Sequence, residues 1–148
     1  MAEGTVQSIE IDADPAACFA VASDVQAYPE WATGIRSTEV LETDDNGRPA
    51  RAAFVVDAMV KEISYTLTYE YDEPHSISWT AEPGPDLRTM DGSYTFNDLG
   101  DGRTQIVYAL RAEPAFTIPG FLRRQVEKQI VGTALRGLRV RVNALSGG

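Results

Sequence analysis

Asp57 is the residue whose type and position could most directly do chemistry, because its carboxyl group interrupts the apolar run A-F-V-V-D-A-M-V. A buried carboxylate without a partner is costly, so Asp57 is expected to be exposed, paired or functional. If it faces the interior of a sheet, Arg88 or Arg111 on other strands could pair with it. An acid positioned in a pocket can act as a general acid or base. Asp57 and Arg88 are therefore the candidate catalytic residues, and an exposed or structural acid is the alternative.

The sequence does not provide the residues that other common catalytic and binding sites require. Triads of the Ser-His-Asp or Cys-His type need a histidine, and the only one, His75, lies in the turn sequence D-E-P-H, where exposure is expected. Cys18, the only cysteine, has Asp12 and Asp14 nearby rather than cations, which predicts a buried structural thiol. One histidine and one distant cysteine make no metal cluster, and no glycine-rich phosphate loop occurs. The sequence predicts no metal and no cofactor.

Aromatic residues recur at alternate positions of several predicted strands, most clearly within residues 61–72. Core packing alone would explain most of these rings. Buried tyrosine hydroxyls need hydrogen-bond partners, however, so several of them on one concave face predict a partly polar interior. Such an interior would suit a bulky hydrophobic ligand with a few oxygen atoms. The candidate ligand-binding residues are Tyr28, Trp31, Phe54, Tyr65, Tyr69, Trp79, Tyr94, Tyr108, Thr133 and Gly137.

Gly137 is a candidate because of its place in a predicted helix, one turn after Thr133. Glycine in the middle of a helix costs about 1 kcal/mol relative to alanine. Either a close approach to a strand or room for a ligand could offset that cost. Tyr28 and Trp31 flank Pro29 after the first helix, and this aromatic pair is predicted to gate the entrance of a pocket.

The elements that must position these residues follow from hydrophobic periodicity and turn signals. Asp14 before Pro15 is typical of a helix start, and Asn46-Gly47 is typical of a hairpin turn. The predicted strands are 5–12, 35–43, 50–60, 61–72, 76–81, 87–97 and 103–113, with short helices at 16–22 and 25–32 and a long helix at 119–145.

This order, β-α-α-β6-α, predicts an α+β fold in which a seven-stranded, curved antiparallel sheet wraps around the long C-terminal helix. The sheet must cover its apolar face, and only the last helix is long enough to do so. A curved sheet cannot touch one helix everywhere, so a ligand cavity is expected in the gap. A crystal structure should show a cavity above roughly 300 Å³, the lower bound for ligand pockets.

The length of 148 residues predicts one domain, residues 1–148, and a net charge of −9 argues against DNA as a partner. The absence of a signal sequence or an apolar span of about 20 residues predicts a cytoplasmic protein without a transmembrane segment.

The C-terminal segment differs in charge from the rest of the chain. Beyond Thr117, the only acid is Glu127, among six basic residues. A basic stripe is usually a solvated face. The alternative is an anionic partner for Arg124, Lys128 and Arg139.

The sequence resembles the START-like helix-grip (SRPBCC) superfamily, in particular the branch named for polyketide cyclases, dehydrases and lipid transport. The resemblance spans nearly the whole chain and implies the fold above. It also implies no catalytic residue, since the shared residues are structural. The residues that carry it are Ile11-Asp12-Ala13, Phe19, Asp24, Tyr28-Pro29, Trp31, Val40-Leu41-Glu42, Gly47, Tyr71, Pro74, Ile77, Trp79, Gly92-Ser93-Tyr94 and Phe96.

Three functions follow as hypotheses. The first is binding of a lipid, polyketide, isoprenoid or quinone in the cavity between sheet and helix. The second is a cyclase or dehydrase that shapes a flexible substrate and supplies one acid or base. The third is a protein or ribosome interaction module that uses the basic helix face. The candidates for the second are Asp57, Tyr69, Tyr94, Tyr108 and Arg88.

Overall fold

The computed structural model describes residues 4–57 and 61–146. The elements are β1 (Thr5–Ile11), α1 (Pro15–Ser23), a 3₁₀ turn (Val25–Ala27), α2 (Tyr28–Trp31), β2 (Ile35–Thr43), β3 (Pro49–Asp57), β4 (Glu62–Asp72), β5 (Ser76–Ala81), β6 (Leu87–Gly100), β7 (Arg103–Pro114) and α3 (Gly120–Ser146). The predicted order of elements is confirmed. The predicted strand 50–60 is seen as far as Asp57, and its last three positions lie outside the described residues.

The seven strands form one antiparallel sheet in the order β1-β7-β6-β5-β4-β3-β2. Every chain neighbour from β2 to β7 pairs with the next strand, and β1 closes the order against β7. Gly47 provides the left-handed conformation, with φ of 80°, that the turn between β2 and β3 requires. The sheet therefore has two edges, β1 and β2, and one face for the helices to cover.

Helix α1 begins where the sequence predicts, because the Asp14 side chain accepts a hydrogen bond of 2.9 Å from the backbone N–H of Ala17. The helix buries Cys18 and Phe19 against the sheet. The Phe19 ring lies edge-on to Tyr71 and Phe96, at 6.1 and 5.8 Å. Helix α1 thus covers one region of the concave face.

Helix α3 covers the rest of that face, and its two halves pack differently. Leu135, Leu138 and Val142, in its C-terminal half, are almost completely buried. In the N-terminal half, Val126 and Val131 are also buried, but Ile130 is only partly buried, as is Ala134 just past the midpoint. The seven-stranded curved sheet and long C-terminal helix are the helix-grip arrangement that the sequence predicts. Space remains between helix and sheet beside Ile130 and Ala134.

Within the described ranges, no helix combines the length and apolar character needed to cross a membrane.

Candidate functional site

A cavity of about 160 Å³ lies between the sheet and the N-terminal half of α3. Its walls come from α2 and the loop after it, from β3 to β7, from the segment after β7 and from α3. The volume is smaller than the roughly 300 Å³ predicted from the sequence, so that prediction is wrong for this structure. Nine aromatic residues line the cavity. They are Tyr28, Trp31, Phe54, Tyr65, Tyr69, Trp79, Tyr94, Tyr108 and Phe116.

The sheet rings in the cavity wall form two packed groups, the pair Phe54 and Tyr65 and a larger group around Trp79. Trp79 is the centre of this larger group, with ring centroids 5.4 Å from Tyr94, 5.6 Å from Tyr108 and 6.1 Å from Tyr69. Neighbouring strands place these side chains together because antiparallel pairing puts Tyr69 opposite Trp79 and Tyr94 opposite Tyr108. The wall is therefore rigid and largely apolar.

Four tyrosine hydroxyls in this wall, those of Tyr65, Tyr69, Tyr94 and Tyr108, make no hydrogen bond to another described residue. Burial raises the pKa of each of these phenols above its usual value, so all four stay neutral. A neutral phenol can both donate and accept a hydrogen bond. The cavity thus combines an apolar surface with polar groups that have no hydrogen-bond partner among the described residues.

Tyr28 and Trp31 line the helical side of the cavity, and they differ in whether their polar atom has a hydrogen-bond partner. The Tyr28 hydroxyl donates to the backbone carbonyl of Ala22, which fixes the ring. Trp31 packs edge-on against Tyr28 with centroids 5.2 Å apart. The Trp31 indole N–H is buried and has no hydrogen-bond acceptor among the described residues. A ligand oxygen could use this donor only if the side chains that enclose it moved.

Eight of the ten predicted ligand-binding residues line the cavity, and Thr133 and Gly137 do not. Thr133 instead accepts a 3.3 Å hydrogen bond from the exposed Arg136. A Cβ atom at Gly137 would stand 2.8 Å from the Trp31 carbonyl oxygen. Gly137 therefore allows a close approach, as one of the two alternatives predicted, but the neighbour is α2 rather than a strand.

The two predicted catalytic residues are separated. Asp57 lies at the cavity rim and forms an exposed ion pair with Arg36 at 3.7 Å. Arg88 is exposed, lies outside the cavity lining and pairs with Glu113 at 3.1 Å. Arg111, the other suggested partner of Asp57, instead pairs with Asp91 at 3.8 Å. The structure does not bring Asp57 together with either arginine.

Cys18 and His75 lie where the sequence places them. Cys18 is fully buried, and burial raises the pKa of its thiol. His75 is exposed after β4. In the described part of the chain, no three or more histidine, cysteine or acidic side chains come close enough to hold a metal ion.

The basic face of α3 is partly engaged within the chain. Arg139 donates to the backbone carbonyl of Glu10 at 3.4 Å, and the Lys128 carbonyl accepts from the Gln7 side chain at 3.2 Å. Arg124 and the Lys128 side chain are exposed. An anionic partner for Arg124, Lys128 and Arg139 stays a prediction.

Glu127 is a cavity residue that the sequence analysis did not predict. It is 5% exposed, and one carboxylate oxygen accepts the backbone N–H of Ala112 at 3.3 Å. In the described ranges, β1 pairs with β7 only as far as Leu110, and the Ala112 N–H lies beyond that point. The signal was present in the sequence, since Glu127 is the lone acid of the basic C-terminal segment and adjoins the buried Val126.

Glu127 should make the stability of the protein depend on pH. Burial raises the pKa of its carboxyl group, opposed by the Ala112 N–H and by Arg123. The folded state therefore holds this proton to higher pH than the unfolded chain, so this contribution to stability is lost as pH rises from about 4.5 through the raised pKa. Glu127→Gln cannot titrate. Its free energy of unfolding, compared with that of the unsubstituted protein, should increase between pH 4.5 and pH 8.

Urea denaturation at the two pH values measures this difference. Glu39→Gln, an exposed control on β2, should stay within about 0.5 kcal/mol of the unsubstituted protein at both. A Glu127→Gln difference that is constant with pH would contradict the expectation.

Fold and site together define a helix-grip protein of the START-like class. Residues 4–143 match the family model described as polyketide cyclase / dehydrase and lipid transport, and the chain belongs to that family. No protein with a curated description matches the sequence.

Three solved structures illustrate how far the fold extends. A START superfamily protein from Mycobacterium smegmatis has a TM-score of 0.88 at 20% identity, covering 97% of this chain and 99% of that one. The Zhui aromatase/cyclase from Streptomyces sp. R1128 has a TM-score of 0.85 at 16% identity, with 100% and 99% covered. A STAR-related lipid transfer protein from Xanthomonas axonopodis has a TM-score of 0.72 at 20% identity, with 95% and 85% covered. At these identities, the likeness shows the fold alone.

Proposed function

We propose that this protein binds a hydrophobic small molecule of the lipid, polyketide, isoprenoid or quinone type in the cavity beneath α3. The observation that carries the proposal is the wall itself. It is mainly apolar, yet it holds four phenol hydroxyls and the Trp31 indole N–H, none with a described partner. Family membership supports the same class of ligand.

The cavity has to widen for a ligand of that size, because its volume is about 160 Å³. On the sheet, Trp79 packs on Tyr69, Tyr94 and Tyr108, and Phe54 stacks on Tyr65. On the helical side, the cavity meets several side chains that are less tightly held. Trp31, Ile130 and Ala134 are only partly buried. Movement of α2 and the first half of α3 away from the sheet is therefore the expected route of opening.

Binding of the neutral fluorescent probe 1-N-phenylnaphthylamine tests the proposal. Ala134→Phe should weaken binding at least about ten-fold, because the added ring enters the cavity from α3. Ala144→Phe adds the same ring to an exposed position of the same helix and should bind as the unsubstituted protein does. Equal affinity of both variants, or no probe binding at all, would contradict cavity binding. Native mass spectrometry of protein from its own host would then identify the molecule.

Catalysis of the cyclase or dehydrase type is the second candidate. The convergence of Tyr69, Tyr94 and Tyr108 in one wall favours it, since a neutral phenol can donate a proton to a ligand oxygen. Asp57 at the rim is a further acid, whereas Arg88 lies away from the cavity. Turnover of an aromatic polyketide that survived phenylalanine at all three tyrosines would contradict this candidate.

A further inference from the structure

Only one of the two carboxylate oxygens of Glu127 accepts a hydrogen bond from a described residue. Oε2 accepts the Ala112 N–H at 3.3 Å, and Oε1 has no hydrogen bond to another described residue. Oε1 is also not sealed inside the protein, since the Trp31 and Arg48 nitrogens are the only such enclosed and unpartnered side-chain atoms in the described ranges. Glu127 is 5% exposed and lines the cavity, so little of its side chain meets bulk solvent.

The charged groups around Glu127 leave this oxygen available. Arg123, one helical turn earlier, also lines the cavity but forms no ion pair with Glu127. On β7, the neighbours Arg111 and Glu113 point away and pair with Asp91 and Arg88. Across the cavity stand the four neutral phenols and, at the rim, Asp57. An ionised carboxylate can only accept hydrogen bonds.

We infer that Glu127 selects, among hydrophobic ligands, those that carry a hydroxyl group, by accepting its hydrogen bond on Oε1. This inference rests on the proposed cavity binding and names the ligand class more closely. A phenol or alcohol satisfies the buried carboxylate. An ether of the same shape leaves it without a partner in an apolar wall, and a ligand carboxylate adds a like charge. The four phenols remain available to oxygen atoms elsewhere on the ligand.

Two naphthalenes that differ only in the polar group test the inference. At pH 7.5, the unsubstituted protein should bind 2-naphthol at least about ten-fold more tightly than 2-methoxynaphthalene, a ratio close to the lower end of the range for one hydrogen bond to a charged group. Glu127→Gln can keep the Ala112 hydrogen bond through its carbonyl oxygen. Its amide NH₂ then faces the cavity and donates, so the preference for 2-naphthol should be lost or reversed.

Glu113→Gln is the matched control, because it removes a carboxylate from β7 next to Ala112 but outside the cavity lining. This variant should keep the ten-fold preference. Urea midpoints of both variants show whether they remain folded. If the Glu127→Gln variant does not fold, competition between 2-naphthol and 2-naphthoate for the unsubstituted protein serves as the test instead. 2-Naphthoate should then bind more weakly than 2-naphthol.

The outcomes separate the inference from the proposal beneath it. Equal binding of the two naphthalenes, a preference kept in Glu127→Gln, or 2-naphthoate binding as tightly as 2-naphthol would overturn the role of Glu127. Binding of 1-N-phenylnaphthylamine without binding of either naphthalene would also overturn the role of Glu127. In all of these outcomes, the proposal that the cavity binds a hydrophobic molecule would remain. If no probe binds, both fail.

Discussion

Phe19→Ala is expected to lower the free energy of unfolding by about 3–5 kcal/mol, the range for removing a buried phenylalanine ring. Phe19 is 2% exposed and is the large side chain through which α1 contacts the sheet. Its ring meets the edges of Tyr71 and Phe96, and the Arg48 guanidinium lies 5.7 Å from its centroid. Alanine would leave a void between α1 and the sheet that three ordered side chains cannot easily close.

Phe121→Ala is the matched control for this loss. Phe121 is 71% exposed in the first turn of α3, so its removal should change stability by less than about 0.5 kcal/mol. Chemical denaturation of the two variants measures the difference. A loss below about 1 kcal/mol for Phe19→Ala would mean that α1 does not hold this part of the sheet.

The same variant separates stability from binding. Phe19 does not line the cavity, which lies beneath the other half of the helical layer. Probe affinity of folded Phe19→Ala protein should therefore remain close to that of the unsubstituted protein. A parallel loss of affinity and stability would instead place α1 in the binding machinery.

Much of this fold could be predicted from the sequence because its signals are local. Alternation marks β4, the Asp14–Pro15 pair marks the start of α1, and Asn46-Gly47 marks the first hairpin. The aromatic candidates were placed on the correct face for the same reason. Residues two apart on a strand share a face whatever their neighbours are.

Arg88 shows where local signals fail. Alternation back from Tyr94 would place Arg88 on the concave face together with Met90. The pairing of β6 with β7 shifts between Leu87 and Thr89, so Leu87 is buried and Arg88 turns outward to Glu113. Such a bulge depends on how two strands meet, which alternation along one strand does not record.

Gly137 and Glu127 depend on tertiary contacts in the same way. The sequence left open whether the glycine in α3 meets a close neighbour or makes room for a ligand, and the neighbour, Trp31, is more than a hundred positions away. The Ala112 N–H that Glu127 accepts lies beyond Leu110, the last β7 residue that pairs with β1 in the described part of the chain. Both contacts follow from element lengths and packing, which periodicity does not fix.

Gly92→Ala is expected to cost about 1–3 kcal/mol, and it acts on the cavity wall itself. Gly92 lies directly opposite Trp79 in the pairing of β5 with β6, and the indole covers it. A Cβ atom at Gly92 would stand 2.4 Å from three atoms of that indole. The ring cannot simply shift, because Tyr69, Tyr94 and Tyr108 pack around it.

Gly84→Ala provides the contrast, since a Cβ atom there would meet only the Glu82 carbonyl oxygen, at 3.9 Å. It should leave stability within about 0.5 kcal/mol, or raise it slightly by restricting the unfolded chain. Urea denaturation measures both variants. Near-ultraviolet circular dichroism reports on the tryptophans, of which there are two. The spectrum should change in Gly92→Ala and not in Gly84→Ala.

If Trp79 is displaced, it moves into the layer of tyrosine rings that forms the cavity wall, so probe affinity should fall together with stability. This distinguishes Gly92 from Phe19, whose loss should affect stability alone. A Gly92→Ala variant with unchanged spectrum and affinity would show that the indole has room to move. The aromatic layer would then be adaptable, and widening of the cavity could come from the sheet as well as from α2 and α3.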